Sequence, residues 1–381
     1  MSEKAARKPR IFYIHGGGDV IGGIETYLAR SVKHHKLFEP YIGVVKRGKV
    51  FEYIRETGFN NLIDLKGGKL KEIPKTVRAI YNAVRFIKEK KIELLVANGL
   101  HSWIYGGIIA KTSGIKSVFY VHADIKREDF KTFISGISLR IMPTLYIANS
   151  EFTAESIRRL LKRKTEVSTP ASDIQKFDSI YEDEAKRKLR EEFNIPENIF
   201  IFSIIGRIQR WKGQDTAIAA FKNMRHKEKT RLMIVGDVTF KSDLMFYNDL
   251  KDLSKKEKDG IIFTGFREDI PYIMKGSDVI LNISRNPEPF GIVIVEGMMA
   301  RKPVIATKQG GPLEIVKSSI DGFLVEPNDY IELAKLMDRL VEDQELVKKI
   351  SENGYKKAKT KFTMQVSVER LEKILSGALS N

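Results

Sequence analysis

Two glutamates on either side of a Pro-Phe-Gly turn are the residues of this chain best suited to chemistry. Glu288 precedes the turn, and Glu296 lies in the apolar run after it, which predicts a helix beginning at Ile292. Carboxylates accept hydrogen bonds from hydroxyl groups such as those of a sugar. The unpaired amides in the first turn of a helix favour a phosphate. The segment 286–296 therefore predicts a nucleotide-sugar site in which both carboxylates face one crevice.

The same segment resembles the E-x7-E signature of the retaining glycosyltransferases of family 4. That family has the α/β GT-B architecture, in which two Rossmann-like domains with parallel sheets face a central cleft. The resemblance implies that Glu288 orients sugar hydroxyls and that Glu296 holds the donor's ribose. It also implies donor contacts from Phe290, Gly291 and Ile292, and we expect a UDP-sugar rather than a GDP-sugar. The alternative is a strand–turn–helix corner with two solvated glutamates.

A second motif, Gly-Arg-x4-Lys-Gly, follows a predicted strand and carries two cations. Arg207 and Lys212 lie five positions apart in a loop that opens a predicted helix near Gln214. The motif is similar to that of the family, in which both cations stabilise the departing diphosphate. The chain contains no Asp-x-Asp pair, so we expect these cations to supply the charge that a metal supplies elsewhere. The alternative is a basic loop that faces water.

The first half of the chain offers two glycines and one histidine. Gly22 and Gly23 lie between the first strand and the first helix, where glycine lets a backbone approach a ligand closely. The family carries a similar Gly-Gly that faces the donor. His122 ends the fourth predicted strand, and the resemblance places it near the transferring sugar. The family often has His-Asp here, whereas this chain inserts Ala123 before Asp124. The alternatives are a simple turn and a structural histidine.

Two further positions match the family pattern more loosely, and a third departs from it. Glu314 belongs to a Gly-Gly-x-x-Glu-Ile-Val element that resembles one near the donor, although a glutamate in a first helical turn is also favoured by the helix dipole. Phe266 follows another predicted strand and is expected to flank the base. Arg301 stands where the family usually has glycine, which leaves the subfamily open.

Alternating apolar runs and helical patterns predict the elements that position these residues. The predicted strands are 11–14, 41–45, 94–97, 117–121, 145–148, 200–205, 232–235, 261–264, 279–283, 304–306 and 323–325. We divide the chain into an acceptor-binding domain (1–175), a nucleotide-sugar-binding domain (176–362) and a last helix (363–381) that packs back on the first domain. Ligands of such sheets bind at the carboxyl ends of the strands.

Length and composition restrict the class of protein. A chain of 381 residues is longer than one core usually supports. The absence of cysteine excludes disulfides and thiolate metal sites, and it fits a reducing compartment. The N-terminus lacks the apolar core of a signal peptide. The apolar stretches fall short of the roughly 20 residues of a membrane span. We therefore expect a cytoplasmic protein.

The net charge of +17 favours a polyanionic partner. One basic cluster lies at the end of the helix predicted after Ser150, and another lies between 126 and 140 among apolar residues. The clusters comprise Arg158, Arg159, Lys162, Arg163 and Lys164, and Lys126, Arg127, Lys131 and Arg140. They predict a peripheral association with an anionic membrane that presents a membrane-bound or lipid-linked acceptor. The alternative is a solvated basic face.

The residues and the resemblance together imply a metal-independent, retaining glycosyltransferase. It would move a sugar from a nucleotide-diphosphate sugar to a hydroxyl of a glycan, glycolipid or small molecule. The expected catalytic residues are His122, Arg207, Lys212 and Glu288, with no cofactor beyond the donor. The competing class is a nucleic-acid-binding protein or a catalytically idle partner on the same scaffold, although neither an RRM-like motif nor zinc-finger spacing is present. A sugar-nucleotide epimerase is a third option.

Overall fold

The computed structural model describes residues 7–99, 102–125, 143–257 and 259–380. Within these ranges the chain forms two α/β units. The first comprises the described residues of Met1–Pro170 together with those of Met364–Asn381, and the second comprises those of Ala171–Thr363.

A parallel sheet forms the centre of the first unit. Its described strands are β1 (Arg10–Gly17), β2 (Glu39–Lys46), β3 (Leu62–Asp64), β4 (Leu94–Asn98), β5 (Lys116–Val121), β6 (Leu145–Ala148) and β7 (Thr165–Val167). They are arranged in the order β3-β2-β1-β4-β5-β6-β7. The order reverses between β1 and β4, and open sheets bind ligands at the carboxyl ends of the strands that flank such a reversal.

Helices alternate with these strands along the chain. They are α1 (Gly23–Ser31), α2 (Lys49–Glu56), α3 (Ile73–Lys90), α4 (Ser102–Ser113) and α5 (Glu151–Leu161), with a 3₁₀ turn at Val32–His34. The apolar face of α3 packs with α4 and α5 against one side of the sheet, where residues such as Phe12 and Leu95 are completely buried. Ser150 caps α5, because its hydroxyl accepts a hydrogen bond from the Thr153 amide at 3.0 Å.

The second unit repeats the same strand order on a smaller sheet. Its described strands are β8 (Phe200–Ile205), β9 (Thr230–Val235), β10 (Ile261–Gly265), β11 (Val279–Asn282), β12 (Val304–Thr307) and β13 (Phe323–Val325). Their order is β10-β9-β8-β11-β12-β13, and all pairs are parallel. The reversal therefore lies between β8 and β11, as it lies between β1 and β4 in the first unit.

The described part of the second unit contains nine helices. They are α6 (Gln175–Asp178), α7 (Glu182–Phe193), α8 (Gln214–Asn223), α9 (Leu244–Ser254), α10 (Ile270–Gly276), α11 (Ile292–Met299), α12 (Pro312–Ile315), α13 (Tyr330–Glu342) and α14 (Gln344–Lys361). Short 3₁₀ turns lie at Arg210–Lys212, Lys227–Lys229, Lys241–Asp243 and Lys255–Glu257. Two buried apolar clusters result, one on each face of the sheet.

The last helix, α15 (Met364–Ser380), belongs to the first unit and packs on α1 and β5. Its Glu372 is buried, and it accepts hydrogen bonds from the backbone amides of Lys36 and Leu37 at 2.8 and 2.7 Å. The same carboxylate oxygen lies 3.0 Å from His35 Nδ1. Hydrogen bonds to a buried carboxylate are strong, so α15 is firmly attached to the loop after α1.

The predicted strands are confirmed, with ends that shift by up to three residues. Two strands were missed, β3 and β7, each three residues long. Both lie at sheet edges, where a short strand carries little apolar periodicity. Because β3 was missed, His122 follows the fifth strand of the sheet and not the fourth.

Arg301 occupies a backbone conformation that favours glycine, with φ of 60°. A residue with a side chain loses about 1–2 kcal/mol in this region, which accounts for the glycine usual in the family pattern. The Arg301 guanidinium lies 3.6 Å from the centre of the Tyr355 ring. A cation over an aromatic face is attractive, so this contact offsets part of the backbone strain.

Candidate functional site

Two loops meet where the strand order of the second unit reverses. The first follows β8 and contains Arg207 and Lys212; the second follows β11 and contains Ser284 and Glu288. Since β8 and β11 are hydrogen-bonded neighbours, their carboxyl ends bring these loops together. The polar residues of both sequence motifs therefore lie at the position where open α/β sheets bind ligands.

Glu288 is the centre of this cluster. Its Oε1 atom lies 2.5 Å from Lys212 Nζ and accepts a hydrogen bond from the Ser284 hydroxyl at 2.7 Å. The Asn282 amide adds a longer contact of 3.4 Å to the same oxygen. The residue is only 6% exposed. Among the described residues, no donor reaches Oε2, so the carboxylate is fixed through one oxygen while the other can accept a hydrogen bond from a ligand.

The two cations of the first loop differ in their partners. Lys212 is paired with Glu288 and lies 4.1 Å from the centre of the Trp211 ring. Arg207 is half-buried, and no carboxylate in the described ranges lies within ion-pair distance of its guanidinium. Its nearest aromatic partner is Phe240, at 5.8 Å. No described carboxylate therefore compensates the charge of Arg207, and an anionic ligand could do so.

Backbone contacts fix the two loops against each other. Gly213 has φ of 74°, and a Cβ atom at this position would lie 1.8 Å from the Ile283 carbonyl oxygen. The Arg285 amide donates to the Trp211 carbonyl at 2.7 Å. The position after Lys212 thus requires glycine. The close approach of the two loops at Gly213 and Ile283 places Lys212 next to Glu288.

A third loop supports the turn that holds Glu288. The Gly311 amide donates to the Glu288 carbonyl at 2.8 Å. A Cβ atom at Gly310 would lie 2.5 Å from the same carbonyl oxygen. The two glycines after β12 therefore have a structural role, because they let the backbone of this loop pack directly on the backbone of the turn that holds Glu288. Glu314 follows in α12, a helix of four residues.

The turn ends at the N-terminus of α11. Gly291 is its N-cap with φ of 103°, and the amides of Gly291, Ile292 and Val293 have no acceptor among the described residues. Phe290, in contrast, is 3% exposed and packs on Phe362 with ring centres 6.0 Å apart. Its side chain belongs to the core, so Phe290 itself could contact a ligand through its backbone groups alone.

Two further predicted residues of this unit are Glu296 and Phe266. Glu296, in α11, accepts a hydrogen bond from the Ser172 hydroxyl at 2.9 Å. Phe266 follows β10 and is 71% exposed. Since β9 separates β10 from β8, Phe266 lies two strands from the loop of Arg207 and Lys212.

His122 of the first unit lies at the end of β5, next to β4. Its Nε2 atom is 2.9 Å from Asn98 Oδ1. With that oxygen as acceptor, Nε2 carries the proton and Nδ1 is left to accept a hydrogen bond. Burial lowers the pKa of His122 to about 3; His15 adds to the shift, and the charge of Glu25 opposes it. The imidazole is therefore neutral at physiological pH.

Gly22 and Gly23 start α1, as predicted. The Gly22 amide donates to Glu25 Oε2 at 2.8 Å, and Glu25 Oε1 lies 3.2 Å from His15 Nε2. Burial raises the pKa of Glu25, but hydrogen bonding and charge from His15 outweigh it and lower the pKa. The amide of Gly22 is thus occupied by Glu25, and a ligand at this turn would meet Gly23.

Sequence reasoning missed four polar residues of these clusters. Ser284 and Asn282 hold Glu288, Asn98 sets the histidine tautomer, and Asp215 pairs with Arg285. Asn98 and Asn282 end a strand, and Ser284 follows one. A search for polar residues at strand ends would have found three of the four.

The basic cluster after Ser150 is partly neutralised. Arg158 pairs with Glu151 and Glu155 and donates to the Thr165 carbonyl at 3.0 Å. Lys164 lies 3.1 Å from Glu166. The other basic cluster predicted to meet a membrane, between 126 and 140, lies outside the described residues. Across the described ranges, no helix combines the length and the apolar character that crossing a bilayer requires.

Two family models match consecutive parts of the chain. "Glycosyltransferase Family 4" matches residues 21–174, and "Glycosyl transferases group 1" matches residues 185–357. The putative glycosyltransferase YtcC of Bacillus subtilis is 27% identical over 278 residues, which are 70% of this chain and 68% of that protein. The UDP-Gal:alpha-D-GlcNAc-diphosphoundecaprenol alpha-1,3-galactosyltransferase of Escherichia coli is 25% identical over 314 residues, covering 79% and 78%.

Solved structures share the fold of the whole chain. Alr3699/HepE of Anabaena, crystallised with UDP and glucose, superposes with a TM-score of 0.83 at 24% identity, and the match covers 96% of this chain and 99% of that one. A glycosyltransferase of Rickettsia africae gives a TM-score of 0.84 at 23% identity, covering 98% and 99%. The two Rossmann-like units are thus those of the GT-B fold.

Proposed function

The chain belongs to the glycosyl transferases group 1 of glycosyltransferase family 4, and from this premise we propose that it transfers a sugar from a nucleotide-diphosphate sugar to an acceptor hydroxyl. The observation that carries the proposal is the Glu288 cluster. A buried carboxylate, held through one oxygen by Lys212 and Ser284, keeps its second oxygen available. Carboxylate oxygens with fixed geometry suit the hydroxyls of a sugar.

Three sets of hydrogen-bonding groups in the second unit could bind the diphosphate of the sugar nucleotide. Arg207 carries a charge without a carboxylate partner in the described ranges, and the Lys212 ammonium has three N–H groups, of which one points to Glu288. The amides at the start of α11 add hydrogen bonds and the positive end of a helix dipole. These groups are already positioned, so they would stabilise the negative charge that develops on the departing diphosphate.

We propose that the anomeric configuration is retained and that no metal is needed. Retention is what the family resemblance implies: the acceptor enters on the face from which the diphosphate leaves, and that phosphate takes the acceptor proton. The two cations, Arg207 and Lys212, support metal independence because they can supply the positive charge that a metal would supply. In the first unit, neutral His122 keeps Nδ1 as an acceptor for a hydroxyl group.

A UDP-sugar donor and a lipid-linked acceptor are our proposals for the substrates. The donor is supported by the fold shared with a protein crystallised with UDP and glucose, and by the UDP-Gal in the name of the Escherichia coli relative. That name also specifies a diphosphoundecaprenol acceptor. Arg159 and Lys162 are exposed cations that would hold the protein at an anionic membrane.

Donor binding can be tested by thermal shift with UDP-, GDP- and ADP-sugars. A ligand at 100 times its Kd adds about 2.7 kcal/mol to stability, so the correct nucleotide should raise Tm clearly. Glu288→Gln should weaken the response to the sugar nucleotide, whereas Glu332→Gln, an exposed glutamate on α13, should not. A chain that responds to none of these nucleotides would count against the proposal.

Turnover then decides the finer claims. Released nucleoside diphosphate should form at the same rate with and without EDTA, and NMR of the product should show the donor's anomeric configuration. An enzyme that stops in EDTA and revives only with Mn²⁺ or Mg²⁺ needs a metal. If no acceptor gives turnover, a gel shift and a heparin column test the alternative of a nucleic-acid-binding or catalytically idle protein.

Membrane association is tested by co-sedimentation with vesicles. Vesicles containing phosphatidylglycerol should bring down the protein at low salt, and those of phosphatidylcholine should not. Reversing Arg159 and Lys162 to Glu should weaken this binding, because each basic residue near the surface contributes about 1 kcal/mol. A protein that ignores anionic vesicles would indicate a soluble acceptor.

A further inference from the structure

A cavity of about 640 Å³ lies within the first unit, between the β6–β7 edge of its sheet and α15. One wall is formed by residues 143–146 at the start of β6, by residues 163–164 before β7, and by residues 166–167 within β7. The other wall is the outer half of α15, from Arg370 to Ala378. Its volume is within the range of small-molecule sites.

The rim of this cavity is strongly basic. Four cations line it, namely Arg163, Lys164, Arg370 and Lys373, against one carboxylate, that of Glu166. Glu166 is already paired with Lys164 at 3.1 Å. Within the described part of the chain, the other three cations have no carboxylate partner; Arg370 instead donates to the Thr169 hydroxyl at 2.5 Å. Unpaired like charges around one opening attract an anion.

The floor of the cavity is apolar. Leu145, Val167 and Ile374 are half-buried and line it together with buried Tyr146 and Ala378. Burial raises the pKa of Tyr146 to about 12, although the charge of Arg163 opposes the rise. Tyr146 therefore stays neutral, and the guanidinium of Arg163 lies close enough to influence it. An apolar floor below a basic rim suits a molecule with an anionic head and an apolar tail.

The position of the cavity separates it from the predicted transfer site. Its walls include the amino end of β6, whereas His122 and Gly23 follow the carboxyl ends of their strands. None of the residues assigned to the donor or the reaction lines it. A ligand bound here would therefore anchor the protein or regulate it, and it would not be the reacting substrate.

We propose that this cavity binds an anionic lipid, with the phosphate of the headgroup at Arg163, Arg370 and Lys373 and the first part of an acyl chain on Ile374 and Leu145. The site does not depend on the donor or the reaction proposed above. The cavity shares Arg163 and Lys164 with the basic cluster after Ser150, but it would bind one lipid molecule by shape as well as by charge.

The test is calorimetric titration of the full chain with single lipid molecules. Dihexanoyl-phosphatidylglycerol, below its critical micelle concentration, should bind saturably with one site. Dihexanoyl-phosphatidylcholine, which has the same tails and no net charge, and inorganic phosphate, which has no tail, should each bind at least tenfold more weakly. Phosphate binding as tight as that of the lipid, or no lipid binding, would overturn the proposal.

A matched pair of variants separates the site from general electrostatics. Arg163→Glu with Lys373→Glu reverses two exposed rim cations and should weaken lipid binding at least tenfold. Lys88→Glu with Lys111→Glu changes the net charge by the same amount at exposed positions away from the cavity and should leave binding within twofold. Arg163→Lys with Lys373→Arg should bind as the parent does. Equal losses in both charge-reversed variants would show that only net charge matters.

Discussion

Glu288 and Lys212 form a partly enclosed ion pair, with side chains 7% and 17% exposed. Removing one member of such a pair leaves the other charge buried without compensation, which costs several kcal/mol. Arg207 has no carboxylate partner among the described residues, so its removal leaves no such charge behind. We therefore expect Lys212 and Arg207 to contribute differently to the free energy of unfolding, even if both take part in the same reaction.

Lys212→Ala and Arg207→Ala should each lower kcat by about 10²–10³, the usual loss for one preorganised charge stabiliser. Lys212→Ala should also lower the free energy of unfolding, because Glu288 loses its counter-ion, and the added change Glu288→Gln should restore stability without activity. Arg210→Ala serves as the control, since Arg210 is exposed and paired with Asp249. Steady-state kinetics and urea unfolding measure both effects. Normal kcat in both cation variants would refute the assignment.

Glu288→Gln and Glu296→Gln should differ in kind. Glu288 offers its free oxygen to the reacting sugar, so its loss should lower kcat. Glu296 is proposed to hold the ribose, and a contact equal in ground and transition states affects mainly KM. Ser172→Ala, which removes a donor to Glu296, should reproduce a weak form of the Glu296 effect. The opposite pattern of kcat and KM would mean that the two roles are exchanged.

His122 makes stability depend on pH with a defined sign. Its pKa in the folded state is about 3, below the value of about 6.5 in an unfolded chain. As pH falls from 6.5 towards 3, only the unfolded state takes up this proton, so the folded state loses up to about 1.4 kcal/mol per pH unit. His122→Asn should make the decline of stability less steep across this window. Urea unfolding at pH 7, 6, 5 and 4 measures the slope, and parallel curves for variant and parent would contradict the prediction.

At the scale of elements, three loops hold the candidate site through backbone contacts. Gly213 packs on Ile283, and Gly310 and Gly311 pack on the turn from Glu288 to Phe290. Each close approach leaves no room for a Cβ atom. The positions of Lys212 and Glu288 are thus set by the way the loops after β8, β11 and β12 meet.

Gly213→Ala should damage both stability and activity. Its Cβ would lie 1.8 Å from a backbone oxygen at a φ of 74°, so the loops must separate and Lys212 must move. Gly265→Ala is a matched control in the same unit, because its φ is 71° and nothing lies within 4 Å of the added Cβ. The control should lose only about 1–2 kcal/mol from backbone strain and keep most of its kcat. Equal losses in urea unfolding and kcat for the two variants would show that the contact with Ile283 does not matter.

At the scale of the whole molecule, the two units differ in how the chain builds them. The second unit is continuous, from Ala171 to Thr363, and has its own apolar clusters on both faces of its sheet. The first unit depends on α15, which returns from the far end of the chain and buries Val368, Leu371 and Leu375.

A fragment of residues 171–363 should therefore fold alone, whereas 1–170 should not. Without α15, the first unit exposes apolar surface and leaves His35 without Glu372, so we expect aggregation or dye binding. Joining 364–381 to 1–170 through a flexible linker should restore cooperative folding. Circular dichroism and thermal melts measure this, with the full chain as reference. Equal melting temperatures for 1–170 with and without the helix would show that α15 is dispensable.

The sequence by itself determined the strands that carry the site and the motifs that follow them. Apolar runs of three to six residues between helical patterns marked every central strand, because a strand buried on both faces has to be apolar throughout. Gly22 and Gly291 predicted where α1 and α11 begin. A glycine allows the backbone to turn just before the first helical residues, whose amide groups have no partner within the helix. These signals are local, so no partner element is needed to read them.

Only the tertiary structure decided which motif residues meet. Lys212 and Glu288 are 76 positions apart, and no local pattern shows that an ammonium and a carboxylate form one pair. Phe290 and Glu296 were assigned together with Glu288, and the structure adds contacts that the local sequence does not show: the Phe290 side chain is buried in the core, and Glu296 accepts a hydrogen bond from Ser172. The basic cavity lies between β7 and a helix that begins roughly 200 residues later in the chain. Such contacts depend on the order of strands in a sheet, which periodicity along the chain does not encode.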